Sequence, residues 1–143
     1  MPQDEFSVSR RDFLRAAKRH KRTYERIVAG SARGRGRDRK TSAYLLLFYA
    51  VECAIKAKLL EQRGCEWYHQ LQGDEKIGHQ LNRGLALLRV NVRIPSAALG
   101  DRPDRVRDHQ LHLAWRYGRS LREEDEREAV QALERAMNIL LRL

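Results

Sequence analysis

Arg107 and His112, five residues apart, are of side-chain types that suit chemistry on a phosphodiester. Cleaving RNA by internal attack of the 2′-hydroxyl needs a group that moves protons and a cation that stabilises charge building on phosphorus. A histidine titrating near neutrality suits the first task. An arginine suits the second, through paired contacts to phosphate oxygens. On one helix, five residues set the two side chains roughly 140° apart. They are not neighbours within a single helix, and a dimer that faces two such helices together would bring them to one cleft. Arg102 and His109 form a second, overlapping pair, ranked lower because Pro103 and Asp104 lie inside it at the expected helix start. In a chain this rich in arginine, such a spacing also arises by chance.

Glu52 and Lys56 stand four apart, the order and spacing that let a helical pair attract. Their simplest use is a structural ion pair at the edge of the core. In the alternative, Glu52 points into an interhelical cleft and positions His79 or an RNA-binding arginine. His109 and His112 lie three apart, but no third ligand completes a zinc signature, which needs three or four. No metal is expected, and no cofactor: a phosphate loop, a nucleophile elbow and a paired-carboxylate site are all missing. Trp115 and Tyr117 read as core and cleft lining.

The charge points to a polyanionic partner. The 143 residues carry 29 Lys and Arg against 19 Asp and Glu, a net +10, with a pI near 10.2. Residues 1–40 hold 13 basic and 5 acidic side chains, a net +8. RNA, DNA or an acidic protein would satisfy that asymmetry. Arg33, Arg35, Arg37, Arg39 and Lys40 sit in a Gly-interrupted tract that resembles RNA-binding Arg/Gly segments, and Arg22 and Arg26 extend it along the preceding helix. The competing reading is a solvated loop that keeps a basic protein in solution. Cys53 and Cys65 suggest reduced thiols in a cytoplasmic setting. The longest apolar run, Ala43 to Val51, is nine residues, where a bilayer span needs about 20. No membrane association is expected.

These residues need positioning elements, and the apolar spacing supplies helices. Strand-like alternation is nearly absent. The first helix is expected over Ser9 to Ala29, stopped by Gly30. A flexible basic loop should follow at 30–41. The second helix should start at a Thr41 or Ser42 cap and end before Gly64. Its first half is apolar almost all round, as for the central helix of a bundle. Further helices are expected from Gly78 to Arg89, from Asp104 to Leu121 and from Glu123 to Leu143, with 90–103 as a loop. The acidic run Glu123 to Glu126 suits a helix N-terminus. One domain over 1–143 follows, an all-α, antiparallel up-and-down bundle of four to five helices.

Three segments carry a family resemblance. Tyr49-Ala50-Val51-Glu52-Cys53-Ala54-Ile55-Lys56-Ala57 resembles the YAVECALKA segment of bacterial HEPN proteins. Gly78-His79-Gln80-Leu81 is similar to that family's GHDL element, and Trp115-Arg116-Tyr117 to its W/RY element. The likeness spans about residues 10–143. It implies a helical bundle, frequent homodimers and association with RNA, often in toxin–antitoxin, phage-defence or RNA-processing systems. It also implies a catalytic Arg-x(4–6)-His element supplied by both subunits, which Arg107 and His112 match. The subgroup with these segments often lacks that element. Three functions therefore stand: a metal-independent endoribonuclease, a binding module for RNA or a nucleotidyltransferase-like partner, and a plain oligomeric helical protein.

Overall fold

Ser9 and Asp12 start the first helix by capping each other. The Asp12 amide donates to Ser9 Oγ and the Ser9 amide to Asp12 Oδ2, both at 3.1 Å. The helix, α1, runs Arg10–Ser31 and buries Phe13, Ala17 and Tyr24 along one stripe. Arg15, Lys18, Arg19, Arg22 and Arg26 remain exposed on it. The computed structural model describes residues 7–31, 37–100 and 102–143.

The second helix, α2, runs Arg37–Arg63 and packs against α1 along its length. Leu47, Phe48, Val51, Ala54, Ile55 and Leu59 are buried around it. Later helices cover its remaining faces: α3 (Leu81–Leu87), α4 (Leu111–Arg116) and α5 (Glu123–Leu140). Gly64, at φ +66°, ends α2 in the left-handed region that glycine tolerates. Gly84 lets α3 approach α2 closely, since a Cβ there would overlap the side chains of Ile55 and Ile77. The result is a mostly α-helical bundle of five α-helices among the described residues. None of them is long and apolar enough to cross a membrane.

Between α3 and α4 the chain is irregular, and side-chain bonds do the work of secondary structure. Asn82 donates from Nδ2 to the Ile94 carbonyl at 2.9 Å and accepts the Ile94 amide on Oδ1 at 2.7 Å. Asp108 Oδ2 accepts the Asn82 amide at 2.8 Å, capping α3 from a distant segment. Two short strands, β1 (Ala97–Ala98) and β2 (Arg105–Val106), pair antiparallel with Ala97 opposite Val106. Asp125 then accepts the Ala98 amide at 2.9 Å, tying β1 to the first turn of α5.

Several boundaries differ from the sequence reading. Gly30 does not stop α1, which ends at Ser31, and α2 begins at Arg37 rather than at a Thr41 or Ser42 cap. Arg and Lys form helix readily, and burial of Thr41 and Ala43 against the bundle extends the helix upstream of them. Arg37, Arg39 and Lys40 are therefore helical. Arg33 and Arg35 lie outside the described residues. The helix expected over Asp104 to Leu121 is replaced by β2, a 3-10 turn at Asp108–Gln110 and the six-residue α4. Val106 is committed to Ala97, Asp108 to Asn82, and Gly118, at φ +68°, ends α4. Left-handed Gly78 and Arg89 likewise trim α3 at both ends.

Candidate functional site

One face of α2 presents Tyr49, Glu52 and Lys56, spaced so that they line up along the helix. Glu52 uses both carboxylate oxygens. Oε2 accepts Lys56 Nζ at 3.3 Å, and Oε1 lies 2.5 Å from His79 Nδ1. The two alternatives for Glu52 are thus one arrangement: the ion pair and the contact to His79 coexist. The Glu52 side chain is only 10% exposed, while that of His79 is 49% exposed. An ionised carboxylate only accepts, so this contact suits the His79 tautomer with its proton on Nδ1 and its lone pair on Nε2.

His112 backs this pair from α4. Its ring centroid is 4.1 Å from that of His79 and 5.0 Å from that of Phe48. The residue is 4% exposed, and its Nδ1 has no hydrogen-bond partner among the described residues. Burial lowers its pKa to about 4, reinforced by His79, Arg116 and His109 and opposed by Glu52. His112 is therefore an uncharged plate at neutral pH. Arg116, one turn further along α4, is exposed and its guanidinium donates to Tyr49 Oη across the cleft. His20 of α1 closes the same side, its ring 6.3 Å from Tyr49. Burial also pushes the neighbouring Cys53 thiol up to about 11, which leaves it a poor nucleophile.

The predicted residues separate into groups. Glu52, Lys56, His79 and His112 come together. Arg107 does not join them: it is exposed at the start of the 3-10 turn and faces a neighbouring cavity with Asp108 and His109. The expectation of one continuous helix from Arg107 to His112 fails, and the cation nearest the histidines in sequence on α4 is Arg116. Arg102 lies near Leu99, Gly100 and Arg119 on another surface, apart from His109. Trp115 is buried, donates Nε1 to Glu126 at 3.1 Å and so braces α4 on α5. Tyr117 is 70% exposed, lines a shallow groove with Leu113 and interacts with the Arg116 side chain. Lys40 faces the acidic start of α5, near Glu123 and Glu126, while Arg22 and Arg26 stay open to solvent.

Tyr49 and Arg116 were not singled out as site residues. Their signal was present, since Arg116 follows His112 by four and both belong to the segments quoted for the family resemblance. Among the described residues, no three His, Cys, Asp or Glu side chains gather closely enough to hold a metal ion. No protein-family model, curated protein or solved structure matches this chain.

Proposed function

We propose that this is an RNA-associated domain of the HEPN type, and that its Glu52–His79–Arg116 cleft cleaves the RNA backbone without a metal. The observation that carries the reading is the 2.5 Å contact between buried Glu52 and half-exposed His79. A carboxylate-oriented imidazole with a free nitrogen is the arrangement general acid–base catalysis requires. His79 Nε2 takes the proton of a 2′-hydroxyl as its oxygen attacks the adjacent phosphorus. The P–O5′ bond then breaks, leaving a 2′,3′-cyclic phosphate and a 5′-hydroxyl that gains a proton from the imidazolium or water. Arg116 offers charge to the phosphorane oxygens. His112 holds the His79 ring from behind instead of moving protons itself. The exposed arginines and lysine of α1 supply attraction to the polyanion. A homodimer would seat on Leu113 and Tyr117, exposed apolar groups on the turn that carries Arg116. A cytoplasmic role in toxin, defence or RNA-processing systems fits this chemistry.

The test is cleavage of bulk cellular RNA in EDTA. The wild type should cut, and His79→Ala should lose at least about a hundredfold in rate, the usual contribution of a general base. Full activity in folded His79→Ala would end the proposal. A second reading is favoured by Arg116 being already engaged by Tyr49 and by Arg107 standing apart from His112. In it the domain binds RNA or a nucleotidyltransferase-like partner without cutting. Salt-dependent RNA binding with no cleavage by the wild type would select it.

A further inference from the structure

Next to the His79 cleft lies a cavity of about 710 Å³ that the chemistry above does not use. Three arginines reach it from three segments: Arg83 on α3, Arg93 in the following loop, and Arg107 at the start of the 3-10 turn. None of the three forms an ion pair among the described residues. Asp108 is the sole carboxylate on the described lining, and it is occupied by the Asn82 amide at 2.8 Å. Like charges brought together repel. Here the fold holds them in place, because Asn82 bonds both backbone groups of Ile94, the residue beside Arg93. Half-buried Pro95 gives the cavity an apolar edge, and Ile94 beside it is buried in the core. The walls are shared with the cleft, since Gln80 follows His79 and His109 precedes His112 by three.

We propose that this cavity is a backbone-phosphate subsite for single-stranded RNA, where Arg83, Arg93 and Arg107 hold a phosphate flanking the one presented to His79. The inference rests on the RNA reading above and adds where the strand is gripped. Arginine forks match phosphate oxygens, and half-buried Pro95 offers an apolar edge to a sugar or base.

The probe is a short 2′-O-methyl oligouridine, in which the attacking hydroxyl is blocked, so binding is read without cleavage. Affinity is measured over a range of KCl. The Arg93→Ala/Arg107→Ala double variant should bind about tenfold or more weakly, the loss of at least one charge-assisted contact. Its log–log salt slope should fall by about 0.7 for each phosphate contact removed. Arg93→Lys/Arg107→Lys should keep the slope and lose part of the affinity, because the ammonium retains charge but not the fork. Arg135→Ala, on the exposed face of α5, corrects for net charge. The subsite is refuted if the wild type does not bind the probe, if the double variant binds like the wild type, or if Arg135→Ala weakens binding as much. Loss of binding in the double variant while His79→Ala still cuts RNA would sink the catalytic reading and keep the subsite. Normal binding in the double variant with His79→Ala inactive would do the reverse.

Discussion

The α1–α2 hairpin and the chain from Gly64 to Arg122 are built on different principles. The hairpin is regular, and its order comes from apolar side chains repeating at helical spacing. The second region has short elements whose geometry is set by bonds between side chains and distant backbone, as at Asn82–Ile94, Asp108–Asn82 and Asp125–Ala98. Most chemistry-bearing groups of the site lie in the second region: His79, His112, Arg116 and the three cavity arginines. Glu52, Tyr49 and His20 are the hairpin's contribution. A regular helical wall thus faces groups carried by short segments that are anchored both by buried side chains such as Leu81, Leu85, Ile94 and Leu111 and by side-chain bonds to distant backbone.

The two principles fail differently, which makes the contrast testable. The largest effect should come from the hairpin. Phe48→Ala removes a fully buried ring and should cost about 3–5 kcal/mol in urea unfolding. A loss below about 1 kcal/mol would show that Phe48 is not a keystone of the core.

Acid should act next, and through the second region. His112 is held neutral, with its folded pKa near 4 against an ordinary value of about 6.5. A depressed histidine pKa contributes full stability above about pH 6.5 and loses it as pH falls toward 4, because the unfolded chain takes up the proton first. The loss should reach up to about 3 kcal/mol. Equilibrium unfolding of wild type and His112→Phe between pH 7 and pH 4.5 checks it, and parallel curves would remove His112 as the cause.

The smallest of the three concerns the loop itself. Asn82→Ala deletes two hydrogen bonds and should cost about 2 kcal/mol. Amide exchange should quicken at 90–98 and leave α1 and α2 nearly as protected as before. Uniform quickening across the chain would mean that the two regions unfold as one unit.

The same contrast explains what could be read in the sequence. The apolar run from Ala43 announces α2 as the central helix, because burial on all sides leaves no polar stripe. Glu123 to Glu126 marks the start of α5 for an equally local reason. Arg107 and His112 fit a spacing rule, but the rule assumes one helix, and Val106 and Asp108 break it through partners 9 and 26 residues away in sequence. Glu52 and His79 stand 27 apart. Their contact was the alternative to a plain Glu52–Lys56 ion pair, and helical spacing alone shows only the Lys56 partner. Arg83 and Arg93 gave no local sign, since only the pairing of Asn82 with Ile94 brings them to one cavity.

That pairing also has a mechanical meaning. Asn82 clamps Ile94 as one rung of a ladder would, so the first turn of α3 and the 93–96 segment form one stiff link. Arg93 sits at one end of the link and His79, three residues ahead of Asn82, at the other. A load on Arg93 would therefore pass through this link into the first turn of α3, which His79 precedes by two residues.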